Sequence, residues 1–208
     1  MSAPDLVFMD DSLLVVNKPA GVLSVPGRGA DLQDCMAVRV LALAPDALVV
    51  HRLDMATSGL LVFARGKAAQ TKLSKAFAQR EVGKRYVAVV AGLMALDLGE
   101  IDLPLITDWP NRPLQKVDFE EGKPSVTRYR VLERLAESTR VELEPVTGRS
   151  HQLRVHLLAL GHPILGDALY APAVVLARAP RLLLHARWVS LVHPVLGNVV
   201  SFESDVPF

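Results

Sequence analysis

Residues 51–59, His-Arg-Leu-Asp-Met-Ala-Thr-Ser-Gly, hold one carboxylate, Asp54, with Arg52 before it and Thr57 and Ser58 after it. A carboxylate so placed can attack an electrophilic carbon or remove a proton. Neighbouring Thr and Ser hydroxyls can bond the backbone and stiffen the turn. On local composition alone, a charged hairpin turn is the simpler reading. A second polar cluster runs Thr147-Gly148-Arg149-Ser150-His151-Gln152-Leu153-Arg154-Val155-His156. Its spacing predicts a helix capped by Ser150, running to Leu160 and stopped by Gly161. Leu153, Leu157 and Leu160 would form the core stripe, with Arg154 about 100° round the axis at its edge. A partly buried guanidinium needs an anion, and Asp54 is the expected one. His151 and His156 point about 140° apart on such a helix and have no cysteine or acid cluster beside them, so no metal site is expected. Local capping or hydrogen bonding is expected of them instead.

The elements that must position these residues are legible as hydrophobic runs. Ala47–Val50 and Leu60–Ala64 have strand length and β-branched content, which places the Asp54 stretch on a loop between two strands. Leu6–Pro19 reads as two strands with an acidic turn, ended by Lys18-Pro19-Ala20-Gly21. Asp31 is a candidate cap for a helix carrying Leu32, Cys35, Met36, Val40 and Leu43, with Pro45 as its stop. Cys35 falls on the apolar stripe as a buried small hydrophobe. Residues 67–79 form a second helix, its inner face Ala69, Leu73, Ala76 and Phe77. A strand, 85–92, follows, then a stiff loop around Trp109-Pro110-Asn111-Arg112-Pro113. Residues 126–132 and 139–146 alternate as an antiparallel hairpin. Asp167 sits in a turn that it is expected to stabilise. The remainder reads as two closing strands. Strands dominate in no regular alternation with helices, so the fold expected is α+β: a mixed, mostly antiparallel sheet with flanking helices.

The composition sets bounds. The chain has 208 residues, half of them hydrophobic, which is enough for a substantial core. One domain over 1–208 is expected, with no separate N-terminal domain. The single cysteine allows no internal disulfide and suits a reducing compartment. The start lacks the pattern of a secretory signal, and no apolar run is long enough to cross a membrane, so a cytoplasmic monomer is expected. The formal net charge is only +1. Between Arg65 and Tyr86, however, Arg65, Lys67, Lys72, Lys75, Arg80, Lys84 and Arg85 face one acid, Glu81. That run reads either as a solvated helix face or as a surface for phosphates.

His-Arg-Leu-Asp-x-x-Thr-Ser-Gly-Leu resembles the signature loop of the RluA family of RNA pseudouridine synthases. Asn17-Lys18-Pro19-x-Gly21, Lys84-x-Tyr86-x-Ala88, Gly148-Arg149-x-His151-Gln152-x-Arg154-x-His156 and Leu184-His185-Ala186 match further motifs in order. The likeness runs from about Leu6 to the C-terminus. It implies the pseudouridine synthase fold, with Asp54, Arg154 and Tyr86 as catalytic residues: the acid, the guanidinium paired with it, and the tyrosine against the target base. Leu184 would pack on that base, and Arg52, His51, Lys84 and Arg149 would contact RNA or base. The reaction implied moves uracil from an N1 to a C5 linkage after the nucleotide flips out of its duplex. It has no redox change, and no glycine fingerprint for a nicotinamide or flavin is present, so no cofactor is expected. The short members of the family that this chain resembles act on large-subunit rRNA and on the anticodon arm of tRNA. The rival readings are a glycosidase releasing free uracil, which would need two carboxylates, and a non-catalytic RNA-binding protein.

Overall fold

The structure is a computed structural model and describes residues 3–29 and 32–208. The chain forms two compact units, Met1–Lys84 with Ala186–Pro207 and Arg85–His185 with Phe208. The division falls inside two strands, where one domain was expected.

In the first unit β1 (Asp5–Met9), β2 (Leu13–Lys18) and β4 (Ser58–Arg65) lie side by side. β11 (Leu184–Val192), whose residues from Ala186 on belong to this unit, follows β4, and β12 (Val199–Glu203) pairs with it. The short β3 (Ala47–Val49) also pairs with β4. The β1–β2, β2–β4, β3–β4 and β11–β12 pairings are antiparallel. β4 is apolar on both faces, and Ser58–Ala64 is buried throughout. Leu13, Val15, Leu60, Val62 and Ala64 share a core with Ala69 and Leu73 of helix α2 (Lys67–Ala78). Phe77 and Ala76 pack against it, the inner face that the periodicity predicts.

Helix α1 (Met36–Leu43) is shorter than the sequence leads one to expect. Its first N–H groups are satisfied by loop backbone: Met36 N–H donates to Leu23 O at 2.8 Å and Ala37 N–H to Ser24 O at 3.1 Å. Asp31, the cap expected from sequence, lies outside the described residues. Cys35 is fully buried at the N-cap, as a small hydrophobe.

The second unit carries β5 (Gly83–Ala91, from Arg85 on), β10 (Ser138–Pro145), β9 (Val126–Arg134) and β6 (Leu98–Asp102), paired antiparallel in that order. A separate hairpin, β7 (Leu105–Thr107) and β8 (Gln115–Val117), flanks a single 3-10 turn at Trp109–Asn111. Helix α3 is Gln152–Ala159 and helix α4 is Ala173–Leu176. The predominance of antiparallel strands with a few flanking helices is the α+β class read from the sequence.

α3 does not start on Ser150. His151 stands at the N-cap in the left-handed region, with φ of 54° and no side-chain cap. Gln152 organises the start: its Oε1 accepts from Thr147 Oγ1 at 2.6 Å and from Arg149 N–H at 3.0 Å. Its amide donates to Val126 O at 2.9 Å and Thr127 Oγ1 at 3.0 Å. The helix end is as expected: Gly161 has φ of +81° and His162 N–H returns to Leu157 O. Every residue from Gln152 to Leu157 is buried, so Arg154 lies inside the unit and not at the edge of a stripe.

Candidate active site

The loop that carries Asp54 is fixed through its backbone. Lys18, fully buried at the end of β2, donates to the carbonyls of Pro19 (2.9 Å), Val22 (2.7 Å) and Met55 (3.0 Å). Gly21 N–H donates to the same Met55 oxygen at 2.8 Å. On the other side of Asp54, Ser24 Oγ donates to Leu53 O at 2.7 Å and lies 3.0 Å from Leu53 N–H. Thr57 N–H closes a turn onto Asp54 O at 3.1 Å, and Thr57 and Ser58 are buried. The residues on both sides of Asp54 are therefore held by buried donors, while its own side chain is half-buried. Met55 and Arg52 are exposed. Such a loop presents a carboxylate in a set direction at little further entropic cost.

His51 opens the loop. Its Nε2 accepts from Val62 N–H at 2.9 Å, which puts the proton on Nδ1, and its ring stacks on Phe77 at 4.3 Å. Burial, with a smaller effect from the Lys84 charge, pushes its pKa down to about 3. His51 is thus a neutral side chain that ties the loop to β4 and α2. Lys84 is half-buried, and burial first and Arg80 second lower its pKa. Gly59, at φ +113°, lets β4 approach β11: a Cβ there would stand 2.6 Å from the Ala186 nitrogen and nearer still to its oxygen.

In the second unit Arg154, 3% exposed, makes a two-point pair with Asp167, 1% exposed. Nε donates to Oδ2 at 2.8 Å and Nη2 to Oδ1 at 2.5 Å. Asp167 also receives the Leu169 and Tyr170 N–H groups at 3.0 and 3.2 Å, so it holds its turn as the sequence suggests. The Tyr170 ring lies 5.0 Å from the guanidinium, and its hydroxyl meets His151 Nδ1 at 2.6 Å. His156 is bound to Thr127 Oγ1 and Leu103 O, each at 3.0 Å. Both histidines hydrogen-bond to residues distant in the chain, where local partners were expected. Among the described residues no group of His, Cys, Asp and Glu is arranged to hold a metal. Tyr86, half-buried, stands opposite Leu143 of β10, and Leu184 is buried at the start of β11. Arg149 Nε donates to Pro124 O at 3.3 Å.

The eight site residues read from sequence thus fall in two groups. His51, Arg52, Asp54 and Lys84 belong to the first unit, and Tyr86, Arg149, Arg154 and Leu184 to the second. Lys18 and Asp167 were not among them. The signal for Lys18 was a cation ending the apolar run Leu13–Val16, where burial without hydrogen bonds would be prohibitive.

A family profile described as RNA pseudouridylate synthase matches residues 12–159. The chain belongs to the RNA pseudouridylate synthase family. It is 53% identical over 204 residues to the dual-specificity RNA pseudouridine synthase RluA of Escherichia coli K12, covering 98% of this chain and 93% of that one. The RluA of Vibrio cholerae is 52% identical over 190 residues, covering 91% and 78%. Among solved structures, human RNA pseudouridylate synthase domain containing 1 superposes with a TM-score of 0.83 at 30% identity, over 99% of this chain and 84% of that one. The synthase isomerises uridine to pseudouridine in RNA. Among its described residues no helix is long and apolar enough to cross a membrane.

Proposed function

We propose that Asp54 is the catalytic carboxylate of this synthase and that its targets are uridines in large-subunit rRNA and in the anticodon arm of tRNA. The chain would act as a cytoplasmic monomer. The observation that carries the first part is the anchorage of the Asp54 loop by Lys18 and Ser24, which sets the direction of a half-buried carboxylate.

The reaction breaks the bond from ribose C1′ to uracil N1, turns the base and joins C1′ to C5. The C5 proton is lost and N1 is protonated, so the product is an isomer of the substrate. Asp54 as an ionised group would attack C1′ or take a ribose proton; both routes use the same charge. Asp167 fixes two N–H groups of Arg154, and this reading counts Arg154 among the catalytic residues. Tyr86 and Leu184 would hold the base during its turn, and Arg52, His51 and Arg149 would act at the RNA or through the loop. For His51 the loop-fixing contacts to Val62 and Phe77 support the indirect role.

The dual target is supported by the dual specificity in the names of the RluA relatives and is tested by mapping pseudouridines in cells lacking the protein. Loss of modification in both rRNA and tRNA is expected; loss in one class alone would overturn it. Digestion of RNA treated with the purified protein should yield pseudouridine nucleoside and no free uracil.

A further inference from the structure

We propose that Arg80 and Lys84 form a seat for one phosphodiester of the substrate RNA, beside the loop that carries Asp54. This deepens the reading above and rests on it.

The seat is built at the turn from α2 to β5. Arg80 has φ of +63°, one of two described non-glycine residues in the left-handed region. Arg80 and Glu81 N–H return to Phe77 O and Ala76 O at 3.3 and 2.9 Å, the closure that ends many helices on glycine. Gly161 performs that closure for α3. An arginine here pays conformational energy that a glycine would not, so its side chain must be of use. Yet among the described residues Arg80 has no hydrogen-bond or ion-pair partner for its guanidinium, and Lys84 has none for its ammonium. Elsewhere in the same unit Arg39, Arg65 and Arg187 each sit on a carboxylate, at 2.7, 3.1 and 2.6 Å.

Lys84 is half-buried and close enough to Arg80 for the second charge to disfavour the first. Glu81 forms no ion pair with either, and His51, the next basic side chain, is neutral. A desolvated cation next to a like charge is unfavourable until an anion arrives. A phosphodiester fits, because a guanidinium grips two of its oxygens and an ammonium serves as a point charge. His51, the first residue of the Asp54 loop, stacks on Phe77, whose carbonyl receives the Arg80 N–H, so the seat flanks that loop within one unit. The other arginine-rich surface, around Arg128, Arg130, Glu142 and Glu144, carries its own acids: Arg130 is paired with Glu142 and Arg128 with Glu100.

The test is the salt dependence of binding of the full chain to an anticodon stem-loop RNA. The double variant Lys84→Met/Arg80→Gln should lower the slope of log K against log salt by about 0.7–0.9, one phosphate contact, and each single variant by part of that. Arg130→Gln should leave it alone. Lys84→Met should melt at or above the wild-type temperature, since it deletes an unpaired, half-buried cation. Unchanged slopes in both variants, or a fall of several degrees in Tm for Lys84→Met, would overturn the seat. A third arm adds inorganic phosphate alone: a phosphate-dependent rise in Tm with unmoved RNA slopes would mark a free-anion site and overturn the RNA assignment. Turnover of the same RNA by Asp54→Asn reports separately on Asp54, so a near-normal rate in that variant with shifted slopes in the others would remove that reading and leave the seat standing.

Discussion

A carboxylate beside a pyrimidine is useful only when its charge and its aim are both set, and single residues set them. Asp167 and Arg154 are the sharpest case: a buried pair with two short bonds. Asp167→Asn leaves the guanidinium buried with its partner charge removed, and should cost about 3–5 kcal/mol in urea denaturation. A loss below about 1 kcal/mol would show that the pair is dispensable. His51 gives a pH signature. Its folded pKa of about 3 lies below the ordinary 6.5, so its contribution to stability is present above pH 6.5 and is lost as pH falls toward 3. NMR at pH 5 should find a neutral ring protonated on Nδ1; a ring titrating near 6.5 would contradict the packing described. Asp54 was legible in the sequence because its neighbours form a signature. The Arg154–Asp167 pair was not, because a helix position calculated at the edge of a stripe turned out to be enclosed on all sides. Helical periodicity says which face is apolar and does not say how much of the helix other elements cover.

At the scale of elements, the Asp54 loop is an arrangement of backbone carbonyls around one lysine. Lys18→Met removes three hydrogen bonds of a fully buried ammonium to loop carbonyls and should destabilise the protein by about 2–4 kcal/mol. It should also lower kcat, because the loop loses its anchor at Met55; a variant with normal kcat would mean that the aim of Asp54 is set elsewhere. Gly59→Ala should be at least as damaging, since its Cβ would meet Ala186 backbone at a φ of +113°. The strands were legible, as β4 and the β9–β10 hairpin show, because alternation and apolar runs are local properties. Helix starts were not. α1 begins on loop carbonyls, and α3 on the Gln152 network and not on the Ser that the sequence offers as a cap. Leu23 and Ser24 at α1, and Val126 and Thr127 at α3, lie distant in the chain from the helices they help to start, so local patterning cannot reveal them.

For the whole molecule, the sequence showed a fold class and an enzyme family but not the two compact units, because β5 and β11 are continuous strands with no linker signal at Lys84 or His185. Near-neutral net charge hid the distribution that matters: cations after the Asp54 loop, some without acid partners, in a chain that otherwise pairs many of its arginines. Binding should therefore weaken as salt rises, despite a net charge of only +1. The most direct measurement is on Asp54→Asn with an anticodon stem-loop RNA: single-turnover pseudouridine formation alongside a gel-shift titration. The account predicts no detectable product and an affinity within about tenfold of wild type. Residual turnover near the wild-type rate, or loss of binding in step with activity, would contradict it.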